Sequence, residues 1–107
     1  MNRSHLLGKL MDDPELEKSY GSDVLNFRLE VEEYRKGKDG EKKRRTDVLN
    51  FEVWDSAART IYKYARSNDL MSVEAIARNL TGGGPYEVVF RVTNFKIIPR
   101  DDPQGWK

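Results

Sequence analysis

Apolar and polar residues alternate with period two along three stretches of the chain, the spacing of strands that turn one face to a core and the other to solvent. The clearest covers residues 24–34, where Leu25, Phe27, Leu29 and Val31 fall on one side and Asn26, Arg28, Glu30, Glu32 and Tyr34 on the other. Residues 45–54 repeat it, with Leu49, Phe51 and Val53 inward and Val48, Asn50, Glu52 and Trp54 outward. Residues 86–98 make a third, rich in the Val, Ile and Phe that strands favour. Residues 70–78 and 5–10 read as strands more weakly, and Gly8 inside the latter predicts a bend or bulge. Ala58, Ile61, Tyr62 and Ala65 recur instead at i, i+3, i+4 and i+7, which predicts a short helix capped by Asp55 or Ser56.

Turn chemistry divides these elements. The run from Thr81 through three glycines to Pro85 predicts a hairpin turn, and Asp39-Gly40 breaks a loop expected over residues 35–45. The order is strand, strand, strand, helix, strand, strand. That order fits an all-β, five-stranded oligonucleotide-binding (OB) barrel with one short helix between its third and fourth strands, whose binding surface lies on the second and third. Residues 1–98 are expected to form this domain, and 99–107, with two prolines and no periodicity, a short irregular tail.

Composition narrows the picture. A chain of 107 residues is enough for one core and too short for two. It has no cysteine, which excludes disulfides and thiolate metal sites. Neither a signal peptide nor an apolar span of membrane length is visible, so a soluble, cytoplasmic protein is expected. The net charge of +1 conceals a polarised distribution. Eight acids against Lys18 and Arg28 occupy residues 12–33, and seven bases (Arg35, Lys36, Lys38, Lys42, Lys43, Arg44, Arg45) against Asp39 and Glu41 occupy residues 35–45.

That cationic run joins the ends of two strands whose outward faces carry Tyr34 and Trp54. A solvent-facing Trp forgoes much apolar burial unless something covers it. Aromatic platforms beside a cationic groove are the means by which proteins hold single-stranded nucleic acid without reading its sequence. Catalytic chemistry finds no comparable support. His5 is the only histidine and reads as structural, the Asp12-Asp13 pair before Pro14 reads as a turn with solvated charges, and Gly82 to Gly84 lack the Lys and Ser or Thr of a phosphate loop. Neither an enzyme nor a cofactor is expected.

Several stretches together resemble the bacterial-type single-stranded-DNA-binding protein family: Asn2-Arg3 before Leu6-Leu7-Gly8-Lys9-Leu10, Asp13-Pro14-Glu15-Leu16, Val24 with Asn26 to Val31, and Thr46-Asp47 running to Trp54. The resemblance spans roughly residues 1–98. It implies that Tyr34 and Trp54 stack on bases, that Arg3, Lys43 and Asn50 lie near the strand, and that the barrel self-associates as a tetramer, a dimer being the alternative. Three departures stand out. Val48 occupies a position where the family often has an aromatic, the hairpin at 81–85 is short and no aromatic there replaces the one the family often carries, which leaves Arg78 to compensate, and the chain ends at Lys107 without the Gly- and Gln-rich linker and acidic tip through which members recruit replication proteins. The expected function is sequence-tolerant binding of single-stranded DNA in replication, recombination or repair, in the bacterial or phage-infected cytoplasm at the nucleoid. The alternatives are an OB-fold interaction subunit of a replication assembly and an RNA-binding OB domain.

Overall fold

The structure, a computed structural model, describes residues 1–80 and 82–99. It contains β1 (Ser4–Leu10), β2 (Glu15–Ser19), β3 (Ser22–Lys36), β4 (Lys42–Trp54), α1 (Asp55–Tyr64), β5 (Leu70–Asn79) and β6 (Val88–Ile98). Five strands close a ring: β1 pairs with β5, β5 with β6, β6 with β4, β4 with β3, and β3 returns to β1. All of these pairings are antiparallel except β4 with β6, which run parallel through Phe51 opposite Phe90 and Glu52 opposite Arg91.

Closure depends on β1 changing partners. Its first six residues pair with β5, and Lys9 and Leu10 pair with Glu30 and Leu29 of β3. Gly8 sits at the crossing, where a Cβ would lie 2.9 Å from both the Glu30 carbonyl oxygen and the Leu29 Cβ. The expected bend is therefore a point of close backbone approach that no side chain fits. A second irregularity lies between β5 and β6, where the register slips between Glu74 and Ala75. Thr93 is the extra residue, and its Oγ1 donates to the Glu74 carbonyl at 3.1 Å.

The inward sets read from periodicity form the core. Leu25, Phe27, Leu29, Phe51 and Val53 are buried together with Leu10, Met71, Val73 and Val92, and Phe27 stacks on Phe51 with ring centroids 5.3 Å apart. Helix α1 closes one end of the ring with Ala58 and Ile61, followed by buried Ala65.

Four expectations need correction. The 35–45 loop is mostly strand: β3 continues to Lys36 and β4 begins at Lys42, so only residues 37–41 turn, held by Gly37 N–H donating to the Glu41 carbonyl at 2.6 Å. The short strand β2 was not visible in the sequence, because Leu16 is its one apolar residue; it pairs with β3 through a two-residue turn, Tyr20-Gly21, with positive φ at both positions. The helix N-cap is Trp54, without a side-chain cap bond, because Asp55 takes φ 57° and cannot serve as the extended residue that a cap requires. Tyr62 is exposed on α1, leaving a core face of alanines and Ile61.

Candidate nucleic-acid interface

The ladder between β3 and β4 has thirteen rungs, and directly opposed residues share a face. On the outer face the rungs are Val24 with Trp54, Asn26 with Glu52, Arg28 with Asn50, Glu30 with Val48, Glu32 with Thr46, Tyr34 with Arg44 and Lys36 with Lys42. The inner face carries the core up to Leu29 and Leu49, with Val31 partly buried at its margin, and from Glu33 and Asp47 onward its residues are exposed. From residue 31 on β3, and before 51 on β4, neither strand has another neighbour, so the pair leaves the barrel as a free two-stranded ribbon.

Trp54 is half-buried at the barrel end of this face. Its indole Nε1–H donates to Glu52 Oε2 at 3.1 Å, and the same oxygen accepts from Arg91 Nε at 3.0 Å. Glu52 thus holds both a stacking candidate and a cation, its own charge compensated by Arg91. Next along the face, a groove of about 420 Å³ is lined by Asn26, Arg28 and Asn50 below and by Leu80 and Val89 beside them. Arg28 is not free there, since Asp12 pairs with its guanidinium at 2.5 Å. The two aspartates before Pro14 are therefore tied down rather than simply solvated: Asp13 Oδ1 accepts from the Ser67 backbone N–H at 2.7 Å.

At the ribbon, Tyr34 is 54% exposed. Its hydroxyl donates to Glu32 at 3.0 Å, and the Lys42 ammonium lies 4.8 Å from the ring centroid, a cation–π contact. Arg44 reaches the same Glu32 at 3.5 Å. Arg35, Lys36, Lys38 and Lys43 have no ion pair among the described residues, and Arg45 has Asp47 at 3.4 Å. Expected site residues thus gather in two groups on one hairpin, Asn50 with Trp54 on the barrel and Tyr34 with the cations on the ribbon. Arg3 and Arg78 are not among them. They flank a clamp in which Asn2 exchanges two hydrogen bonds with the Ala77 backbone, at 2.6 and 2.8 Å, on β5, which β6 separates from β4.

The family model of the single-strand binding proteins matches residues 1–80. The chain belongs to the single-strand binding protein family. No curated protein sequence matches it. Among solved structures, a deletion mutant of the single-stranded DNA binding protein from Thermus aquaticus superposes with a TM-score of 0.78 at 16% identity, over 92% of this chain and 50% of that one. The chain thus spans half the length of that relative. The small single-stranded DNA-binding protein from Streptomyces coelicolor gives 0.75 at 12% identity, over 91% and 94%. The Plasmodium falciparum SSB in its complex with ssDNA gives 0.72 at 22%, over 94% and 96%.

Within this single-strand binding fold, two features escaped the sequence reading. The Glu52–Arg91 pair joins residues 39 apart, and nothing in the periodicity of either strand announces it. Tyr86, assigned to a strand, lies in the β5–β6 hairpin and is 93% exposed, so this short hairpin does carry an aromatic. Bonds from Leu80 N–H to the Glu87 carbonyl and from the Asn79 amide to the Pro85 carbonyl, both 2.9 Å, hold the hairpin's base. His5 bonds Ser72 at 2.9 Å, and no cluster able to hold a metal exists among the described residues. No described helix is long and apolar enough to cross a membrane.

Proposed function

We propose that this chain binds single-stranded DNA with little sequence preference, in replication, recombination or repair in the cytoplasm, by stacking bases on Trp54 and Tyr34 and neutralising phosphates with ribbon lysines and arginines. The observation that carries the reading is the unbroken outer face of β3 and β4, which runs from Trp54 through the Arg28–Asn50 rung to Tyr34 and the cationic ribbon. Membership of the family supports it, as does the ssDNA complex of the Plasmodium falciparum relative. Bases supply a π face whatever their identity, so a stacking platform beside a cationic track needs no base-edge code. Arg3, Arg78 and the exposed Tyr86 lie off this face, and a longer strand would have to leave it to meet them.

Self-association belongs to the same reading. Leu7 and Leu70 are 55% and 42% exposed where β1 and β5 adjoin, apolar surface that a second copy would cover. Light scattering after gel filtration is expected to give a multiple of the chain mass, and a monomer at micromolar concentration would contradict it. Binding itself is tested by anisotropy of a labelled oligo-dT of about 30 nucleotides, long enough for an OB site and its neighbour, with unlabelled duplex and oligo-rU as competitors. The dT strand is expected to be displaced poorly by either. Efficient displacement by rU would reassign the ligand to RNA, and no binding would leave the outer face to a protein partner.

A further inference from the structure

The ribbon presents cations on both faces. Lys36 stands opposite Lys42 on the outer face, continuous with Tyr34. One residue along, Arg35 stands opposite Lys43 on the reverse face. Like charges directly opposed across a ladder destabilise it. Two such rungs, adjacent and back to back, put four cations at the tip. No carboxylate pairs with Arg35, Lys36 or Lys43 among the described residues. Solubility alone would be served by rungs of mixed sign, such as Glu33 opposite Arg45 just below. Both faces are open, because residues 32–36 and 42–48 are all exposed and no third strand flanks them.

From this geometry, and resting on the single-strand reading above, we propose that the reverse face of the ribbon, Arg35 and Lys43 with Arg45 beside them, is a second phosphate-backbone site that grips another segment of the same strand. The outer face takes a first segment along its aromatics. A long strand lying there reaches the reverse face by doubling back around the ribbon. The second grip is weak by itself, with two or three phosphate contacts and no aromatic on that face of the ribbon. It becomes effective when a long strand already held in front supplies the second segment at high local concentration. The ribbon then acts as a spindle around which the strand folds back.

The test compares two paired variants of the full chain, Lys36→Gln with Lys42→Gln in front and Arg35→Gln with Lys43→Gln behind, all four positions being exposed. An oligo-dT of about 8 nucleotides measures the first site alone, and one of about 35, labelled at both ends for energy transfer, measures folding back. The front pair is expected to weaken dT-8 several-fold and to flatten its salt slope by about 1.4, at about 0.7 per phosphate. The rear pair is expected to weaken dT-8 clearly less than the front pair does, while lowering end-to-end transfer in the long strand, at unchanged oligomer mass. Equal weakening of dT-8 by both pairs would overturn the proposal in favour of one strand crossing the tip. Unchanged transfer in the rear pair would overturn it in favour of simple solvation. If wild-type protein fails to bind dT-8, the binding face falls as well; if dT-8 binds and only the rear-pair result fails, the binding face stands and the spindle does not.

Discussion

The hairpin of β3 and β4 has two halves built from the same ladder under opposite physical conditions. In the barrel half, inward residues are buried and interlocked: Phe27 lies on Phe51, and Phe51 meets Phe90 at 5.5 Å. In the ribbon half the ladder continues with no burial on either face, held by backbone bonds and the Gly37–Glu41 turn. Burial fixes register and shape in the first half. The second is free of packing constraints, and its side chains are selected by charge. A binding surface that crosses both halves therefore has a rigid end, where Trp54 is held by Glu52, and a pliant end that supplies cations.

Substitutions should separate the halves. The largest effect is expected for Phe51→Ala, which removes the ring shared by both aromatic contacts and should cost about 3 to 5 kcal/mol of stability. Denaturant unfolding would report it, and a loss under 1 kcal/mol would mean that the barrel half is not packed as described. Next comes Trp54→Ala, expected to weaken oligo-dT binding by about tenfold or more, since stacking contributes about 1 to 3 kcal/mol per base. Its unfolding midpoint should fall far less than that of Phe51→Ala; collapse of the fold without selective loss of binding would make Trp54 a core residue. Replacing Lys42, Lys43, Arg44 and Arg45 by Gln together should flatten the dependence of log affinity on log salt by up to about 3 for an oligo-dT of about 35 nucleotides, long enough to meet both faces of the ribbon, and leave unfolding nearly unchanged. A retained slope would reduce the ribbon to a solvated arm.

The smallest effect concerns the barrel's seam with α1. Hydrogen bonds from Lys18 and then Arg59 hold the Asp23 carboxyl below its usual range, at 2.7 and 2.5 Å. A depressed folded-state value means that the stabilisation is complete above the ordinary carboxylate pKa of about 3.9 and is lost as pH falls through the folded value. Asp23→Asn should therefore melt slightly lower than wild type at neutral pH, with the gap closing in acid. A gap that persists at low pH would show that the ion pairs are not its source.

The contrast between the halves also explains what could be read in advance. Periodicity placed the inward residues of β3 and β4 correctly because burial on one face enforces alternation, and Gly8 marked its bend because glycine there has a steric reason. The ribbon reads as a loop in the sequence because its polar residues carry no periodic signal; the turn at Gly37–Glu41 and backbone pairing make it a strand. β2 was hidden for the same reason. At the candidate site, parity identified the outer face of Tyr34, Asn50 and Trp54, whereas the Glu52 contact to Arg91 depends on parallel pairing with β6, which no local pattern encodes. The opposed cation rungs were equally hidden, since a count of bases along the chain does not say which of them face each other.

The central claim, that Trp54 and the ribbon act on one strand, is tested most directly by intrinsic fluorescence. Trp54 and Trp106 are the two tryptophans, so the measurement uses a Trp106→Phe background. Titration with oligo-dT at two salt concentrations should quench the remaining indole to saturation, with the midpoint moving to higher DNA concentration in high salt and the final quench unchanged. Binding that saturates by anisotropy while the Trp54 signal stays constant would contradict the account, since the strand would then be held without reaching the barrel end of the face.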